Sequence, residues 1–237
     1  MTKDMLKTFH GPQGPILTAE LRDIIHGYIM SDGYVTKSGS LRIHQSLKQE
    51  KFVLWLYEKL EPLRTNKPIC DVTMLDKRTN TKTYSKSFQT RSELKEFRSL
   101  WYKPLLDANG KLVFKKCLPV NISSFFSGTF ITLWYAGDGT KIPGHRGAKF
   151  EVTCFTTEER KILQSLFEEK YNIITSINRA GKSKAGTEQW TLNIRARSYD
   201  KFHALVTEMD LIPKIFPHKL HKNNNFTDVT SKRRHGL

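Results

Sequence analysis

Two similar segments decide the fold of this chain: IHGYIMSDG at residues 25–33 and ITLWYAGDG at residues 131–139. Both end in Asp-Gly, and the second lies 106 residues after the first. At the same offset, Arg91-Ser92 recurs as Arg197-Ser198. Because several matches share one offset, the sequence indicates a duplicated module rather than a chance repeat of a dipeptide.

The pattern of apolar residues repeats together with the two segments. Residues 21–31 and 125–137 are apolar on nearly every face, which predicts two buried helices. Thr18 is the expected N-cap of the first, and Ser123 or Ser124 that of the second. The remaining predicted elements are strands at 34–47 and 140–155, amphipathic helices at 50–60 and 157–171, hairpins at 71–88 and 173–194 that turn at 78–80 and 180–182, and closing helices at 92–101 and 198–209.

The order is therefore helix, two strands, helix, two strands, helix, twice over, which predicts an α+β protein. We expect one subdomain over residues 1–118, including a leader and a linker, and a second over 119–222. The linker is expected near 107–121, where Asn109-Gly110 and Pro119 interrupt the pattern. A basic tail at 223–237 is expected to be poorly ordered.

The charge of the chain favours a polyanionic partner. Its 237 residues carry 39 Lys and Arg against 23 Asp and Glu, a net charge of +16. Charge alone also fits a solubility surface or a ribosome-associated protein. The three cysteines form no CxxC pair, which disfavours a zinc ribbon or a disulfide framework. No signal peptide and no membrane span are expected, because no apolar stretch reaches about 18 residues.

The segments at 25–33 and 131–139 resemble the signature of the LAGLIDADG homing endonucleases and intron maturases. Each keeps the penultimate Asp and the final Gly, whereas the sixth position, acidic in that signature, is Met30 or Ala136 here. The resemblance covers residues 15–222 and is to the single-chain, two-motif type. It implies two pseudo-symmetric αββαββα subdomains with paired central helices, and antiparallel sheets that form a DNA-binding saddle.

The residue types in the motif have a physical meaning of their own. Small residues allow two helices to approach closely, which would bring Asp32 and Asp138 side by side; those present are Gly27, Ser31, Gly128, Ala136 and Gly137. A carboxylate at a helix C-terminus is disfavoured by the helix dipole, and two together favour a divalent cation. A single Asp-Gly can simply end a helix.

The resemblance implies a two-metal phosphodiester hydrolase that cuts both strands across the minor groove and leaves 3′ overhangs. Mg²⁺ is the expected metal, with Mn²⁺ able to replace it and Ca²⁺ able to bind without turnover. Asp32 and Asp138, together with the neighbouring Ser31 and Gly137, are the expected metal ligands.

Four further catalytic residues are expected from the same resemblance. Gln45 and Glu151, each 13 residues after its aspartate, match the polar position that orients water or contacts metal; each is otherwise an ordinary solvent-facing strand residue. Lys116 and Lys219 match the lysine near the cleaved phosphate, and Lys115 is an alternative to Lys116.

A set of basic residues on the predicted strands is expected to contact DNA bases or phosphates. These are Lys37, Arg42, Lys48, Lys77, Arg78, Lys82 and Lys86 in the first half, and Lys141, Arg146, Lys149, Arg179, Lys182, Lys184, Arg195 and Arg197 in the second.

Double-stranded DNA is the expected partner, and a monomer the expected state. An intron RNA maturase of the same family, acting on its own intron RNA, is one alternative. A non-catalytic DNA-binding regulator is another, although both aspartates and both lysines are kept. The resemblance suggests a mitochondrial, intron-encoded protein.

Overall fold

The computed structural model describes residues 17–107 and 109–220. The chain divides into two compact units, the first ending at Gly137 and the second beginning at Asp138. The predicted tail at 223–237 lies outside the described residues. The boundary at 118/119, which divides the sequence repeat, stays a prediction. The units divide later because the helix that carries the second motif packs with the first unit.

The first copy of the repeat has the predicted order of elements. They are α1 (Ala19–Met30), β1 (Tyr34–Val35), β2 (Leu41–Ser46), α2 (Glu50–Lys59), β3 (Cys70–Asp76), β4 (Thr81–Gln89) and α3 (Lys95–Trp101). The strands form an antiparallel sheet in the order β1-β2-β4-β3. Thr18 caps α1 as predicted, since its side chain accepts a hydrogen bond from the Leu21 N–H. Ile43 and Phe88, paired across β2 and β4, are buried on the core face of this sheet.

A two-stranded hairpin occupies much of the predicted linker. β5 (Tyr102–Leu106) follows α3 directly and pairs antiparallel with β6 (Leu112–Lys116). Gly110 lies in its turn with a positive φ of 73°, so the Asn-Gly signal marked a hairpin rather than an irregular connection.

The second copy follows the same order. Its elements are α4 (Gly128–Asp138), β7 (Gly139–Lys141), β8 (Ala148–Glu151), α5 (Thr157–Tyr171), β9 (Thr175–Lys182), β10 (Glu188–Ile194), α6 (Tyr199–Thr207) and an additional short helix α7 (Leu211–Ile215). Its sheet order, β7-β8-β10-β9, repeats that of the first sheet. The predicted α+β fold with a duplicated αββαββα order is therefore confirmed. Phe150 of β8 meets Phe167 of α5 and Phe202 of α6 in the core of this unit.

Two local predictions in the second copy are wrong. Ser123 and Ser124 lie in a 3-10 helix (Ile122–Phe125), and α4 begins only at Gly128. Ser127 caps it, because its hydroxyl accepts from the Phe130 N–H and donates to Asp23 of α1. The residues 180–182 do not form a turn either: they continue β9 next to an irregularity in its pairing with β10, and the chain turns at 183–187.

Close packing of α1 against α4 depends on a glycine. A Cβ added to Gly27 would lie 2.6 Å from the Phe130 backbone oxygen and 2.7 Å from the Leu133 Cβ. These distances are below any normal contact, so the two backbones approach more closely than any other side chain would allow. The prediction that small residues permit this helix pairing is confirmed at this position.

His26, one residue earlier in the motif, is a core residue. Its ring stacks on Phe125 at 3.7 Å, and its Nδ1 accepts a hydrogen bond of 2.9 Å from the Trp101 indole. Burial, with a smaller contribution from Arg22, lowers the pKa of His26 from 6.5 to about 3. The residue is therefore a neutral hydrogen-bond acceptor within the core of the first unit.

No helix within residues 17–107 and 109–220 combines the length and the apolar character needed to cross a membrane.

Replacing Gly27 with Ala should lower the free energy of unfolding by about 1–3 kcal/mol, because the methyl group forces the helices apart. Helix propensity acts in the opposite direction by about 1 kcal/mol. The measurement is urea unfolding, with Ser165→Ala on the exposed face of α5 as the control, for which a change within about 0.5 kcal/mol is expected. A Gly27→Ala protein as stable as its parent would contradict the close packing.

Stability should also fall as the pH is lowered, because of His26. Between pH 6.5 and 3 the unfolded chain binds a proton at this residue and the folded chain does not, so acidification favours unfolding. From pH 7 to pH 5 the parent should lose about 2 kcal/mol more than a His26→Gln variant. Exposed His145 provides the control: a His145→Gln variant should keep the parent's pH dependence in urea unfolding. Parallel profiles for the parent and His26→Gln would contradict the buried neutral state.

Candidate functional site

Asp32 lies on a tight turn at the end of α1. The Gly33 N–H bonds the Tyr28 carbonyl at 2.7 Å, and a Cβ on Gly33 would lie only 2.7 Å from that same oxygen. The glycine therefore permits the chain to turn sharply after the helix. The Asp32 side chain is exposed at this point.

Gln45 of β2 contacts the Asp32 carboxylate directly. Its Nε2 donates to Asp32 Oδ2 at 2.9 Å and to the Tyr28 hydroxyl at 3.3 Å. The Gln45 side chain is 7% exposed, so it is not an ordinary solvent-facing strand residue. The structure thus brings together two of the predicted site residues and adds Tyr28, which the sequence analysis had not singled out.

Lys116, at the end of β6, reaches the same helix end. Its Nζ donates to the carbonyl oxygens of Ile29 at 2.6 Å and Ser31 at 2.8 Å. A cation at this position offsets the negative end of the helix dipole beside Asp32. Lys115 is exposed and points to the other side of the hairpin, where it pairs with Lys103. Of the two lysines considered, Lys116 is the one beside Asp32.

Gly137 of α4 completes the surroundings of Asp32. A Cβ on Gly137 would lie 2.5 Å from the Ser31 Oγ and 2.7 Å from Asp32 Oδ2. Only a glycine therefore fits against the Asp32 carboxylate at this point. Carboxylate oxygens are donors that hard divalent cations prefer, so the exposed Asp32 side chain suits such an ion, whereas the Ser31 carbonyl is engaged by Lys116.

In the second unit, the counterparts of Asp32 and Lys116 are Asp138 and Lys219, which belong to neighbouring elements. Asp138 is the last residue of α4 and is half-buried. Lys219 lies in a 3-10 helix (Pro217–Lys219) that contacts β7, the strand that follows Asp138 directly. The Lys219 Nζ lies 5.2 Å from the centre of the Phe216 ring.

Glu151 does not occupy the strand position of Gln45, contrary to what the offset of 106 had predicted, because the two hairpins pair in different registers. Tyr34 pairs with Arg42, but Thr140, at the offset of 106, pairs with Lys149 rather than with residue 148. The second hairpin is one residue longer, and a shift of one residue reverses the face of every later side chain. Glu151 is consequently exposed, and the buried Val152 holds the strand position of Gln45.

The outer face of the first sheet carries polar and basic side chains. Along β2, Leu41, Ile43 and Gln45 are buried, whereas Arg42 and His44 alternate with them and are exposed. A groove crosses this face, and its lining includes Arg42, His44, Lys67, Cys70, Ser87 and Gln89. On the outer face of the second sheet, Lys149 pairs with Asn193.

Four of the predicted DNA-contacting residues make contacts within the protein, and their role in DNA binding stays a prediction. Lys86 points to the face of the sheet opposite to Arg42, where its Nζ lies 2.7 Å from Asp71 and 3.2 Å from Glu50, and these carboxylates raise its pKa. Arg179 pairs with Glu188 at 2.7 Å, and Arg146 pairs with Asp200.

Lys141 is the fourth of these residues. Its Nζ donates to the carbonyl oxygens of Ile142 and His145 and lies 5.0 Å from the Tyr199 ring centre. Burial lowers the pKa of Lys141. The alternation of side chains along β4 could have placed Lys86 on the face opposite to Arg42. It could not have revealed the contacts of Arg146, Arg179 and Lys141 within the protein.

The other predicted basic residues are at accessible positions. Those classed as exposed are Lys37, Arg42, Lys48, Lys77, Arg78, Lys82, Lys182, Lys184, Arg195 and Arg197, and Lys149 is half-buried. Arg78 lies 3.7 Å from Asp76 at the tip of the first sheet's outer hairpin.

Comparison with known proteins gives a consistent family. Residues 22–202 match the model of the LAGLIDADG DNA endonuclease family. Among solved structures, the fold is similar to that of the homing endonuclease I-WcaI bound to its DNA recognition sequence, with a TM-score of 0.73, 17% identity and 94% of each chain covered.

Two curated relatives are named cytochrome b mRNA maturase bI2. The protein from Saccharomyces cerevisiae is 25% identical over 222 residues, and that from Debaryomyces hansenii is 25% identical over 173. These matches cover 90% and 70% of this chain. The chain spans about half the length of the first relative (49%) and 62% of the second.

Proposed function

The chain belongs to the LAGLIDADG DNA endonuclease family, and we propose that it is a homing endonuclease that cuts both strands of a long, asymmetric DNA site. The observation that carries the proposal is the arrangement at the end of α1. There an exposed carboxylate, Asp32, is contacted by Gln45 and lies beside Lys116 and the closely packed backbone of Gly137. These are the groups that metal-assisted phosphodiester hydrolysis needs.

In this proposal Asp32 and Asp138 hold divalent cations, Mg²⁺ or Mn²⁺, with backbone oxygens of Ser31 and Gly137 as further ligands. Such a cation, when bound, supplies an activated water and stabilises charge on the cleaved phosphate. Gln45 orients the Asp32 carboxylate through its amide nitrogen. Lys116 and Lys219 place positive charge beside the phosphate that is cleaved.

The remaining features of the cut follow from family membership. We propose that one phosphodiester is hydrolysed on each strand across the minor groove, leaving 3′ overhangs. Glu151 is proposed only as a residue of the outer face of β8, because its side chain is exposed while that of its neighbour Val152 is buried on the other face. The outer faces of the two sheets, with Arg42 and Lys149 among their residues, are proposed to bind the duplex. A monomer located in the mitochondrion is proposed from the same family membership.

A maturase that assists the splicing of its own intron RNA is a second candidate. It is favoured by the two curated relatives, both of which are named as mRNA maturases. The two functions can be separated by substitution of the aspartates, because RNA binding does not require the carboxylates whereas hydrolysis does.

Replacing Asp32 or Asp138 with Asn should reduce double-strand cutting about 100-fold or more, because each change removes a metal-binding charge. The target is first obtained by incubating the protein with a random plasmid library and Mg²⁺ and sequencing the cut ends. Cutting is then followed on that duplex, and excess EDTA should stop it.

The matched control is Asp210→Asn, at the exposed start of α7, which should cut at the parent's rate. Normal cutting by Asp32→Asn, or cutting in EDTA, would contradict the proposal. If the parent does not cut any plasmid but promotes splicing of its intron RNA, and the Asn variants do so equally well, the maturase function would be favoured.

Arg42 and Lys86 provide a comparison of two basic residues on opposite faces of one sheet. Arg42→Ala should weaken DNA binding by about 1–3 kcal/mol, and it should reduce the slope of log affinity against log salt by about 1 if Arg42 contacts phosphate. Lys86→Ala should change affinity less than about twofold, because its ammonium is engaged by Asp71 and Glu50. Fluorescence anisotropy across a salt series measures both effects. Equal losses of affinity would contradict the assignment of the outer face to DNA.

A further inference from the structure

Tyr28 is a buried residue that the proposed chemistry does not use directly. Its side chain is fully buried in α1, and its ring meets Phe52 of α2 edge-on at 6.0 Å. The Tyr28 hydroxyl lies at the polar end of this environment, where it accepts a hydrogen bond from the Gln45 amide nitrogen at 3.3 Å and also interacts with the His44 backbone. A phenylalanine would fill the same space without that bond.

The Gln45 amide nitrogen carries two N–H groups, and it has two acceptors. One is the Tyr28 hydroxyl, and the other is Asp32 Oδ2 at 2.9 Å. The carboxylate accepts hydrogen bonds but cannot donate, so it requires the nitrogen end of the amide to face it. The tyrosine holds that nitrogen in position from the opposite side. Because Gln45 is almost completely buried, a missing acceptor would leave an N–H group without a partner, at a cost in free energy.

The second copy of the motif lacks both members of this pair. Trp134 stands 106 residues after Tyr28, and the strand position of Gln45 is held by Val152. A valine has no group that could hold a carboxylate in place. The hydrogen-bonded pair of tyrosine and glutamine therefore belongs to Asp32 alone among the two motif aspartates.

We propose that Tyr28 is a positioning residue which, through Gln45, fixes the orientation of the Asp32 carboxylate and so sets the rate at which one DNA strand is cut. This inference rests on the proposed endonuclease function. With Oδ2 held by the amide, the carboxylate has one fixed orientation in which to bind a divalent cation. Without the tyrosine hydroxyl, the amide loses one of its two anchors and the carboxylate gains rotational freedom, whereas Asp138 is unaffected.

The test is a Tyr28→Phe variant, which keeps the ring packed against Phe52 and removes only the hydroxyl. In the metal-free protein, hydrogen exchange of the Gln45 side-chain amide, followed by NMR, should become about 10-fold faster, because one of its two acceptors is gone. On a duplex labelled on each strand in turn, one strand should be cut about 10-fold more slowly and the other at the parent's rate. DNA affinity should not change.

Two further variants separate positioning from a general loss of structure. Tyr171→Phe, at the end of α5, removes a tyrosine hydroxyl outside the site and should leave the ratio of strand rates unchanged. In a Gln45→Leu background, adding Tyr28→Phe should not slow the affected strand further, because the tyrosine acts only through the amide.

An unchanged ratio of strand rates in Tyr28→Phe, or an equal slowing of both strands, would overturn the inference while leaving the endonuclease function intact. Unchanged exchange of the Gln45 amide would also overturn it, because the tyrosine would then not be an anchor. A parent protein that cuts no duplex in Mg²⁺ would instead overturn the proposed function, and the strand effect with it.

Discussion

The close approach of α1 and α4 is the constraint on which the rest of the structure depends. At Gly27 and Gly137 there is no room for a Cβ, because the nearest atoms of the facing helix would lie at 2.5–2.6 Å. Two helices can bury apolar faces with many kinds of residue, but they can bring their C-terminal ends together only if small residues lie at the crossing. Gly137 lies directly against Ser31 and Asp32. The same close contact therefore determines both the packing of the helices and the surroundings of the Asp32 carboxylate. A substitution made for packing at this point therefore alters the chemistry as well.

The C-terminal end of α1 carries a carboxylate, which is electrostatically unfavourable at that end of a helix. An exposed carboxylate at a helix C-terminus is repelled by the helix dipole, and in the first unit three neighbours moderate that repulsion. Lys116 binds the last carbonyl oxygens, Gln45 donates to Oδ2, and Tyr28 holds Gln45. The Asp32 side chain stays exposed beside these neighbours, at a position where a carboxylate can take a cation.

Much of this could be predicted from the sequence, because the helices, strands and their order each leave a periodic signal. Thr18 as a cap and the bounds of α5 follow from local patterns, whereas the place of Gln45 beside Asp32 was expected only from the resemblance to the family. The strand register of the second hairpin and the ion pairs between distant residues could not be predicted, because neither leaves a periodic signal in the sequence. A hairpin longer by one residue reversed the face of Glu151, and Lys86, Arg146 and Arg179 form ion pairs with Glu50, Asp71, Glu188 and Asp200 that no local pattern indicates. Strand pairing and tertiary ion pairs are decided in three dimensions, so a fixed offset carries information about the order of elements but not about register.

The same shift in register explains why a duplicated chain need not have two equal sites. Duplication copies the residues, but a single inserted residue in one hairpin exchanges every later inward side chain for its outward neighbour. In the first unit the inward position carries Gln45, which contacts Asp32; in the second it carries Val152, and the nearest acidic residue, Glu151, faces outward. The helices that carry the two aspartates are constrained by close packing at Gly27 and Gly137, whereas the strands beside them differ in register by one residue. The two copies therefore agree in the aspartates and differ in the residue that would orient each of them.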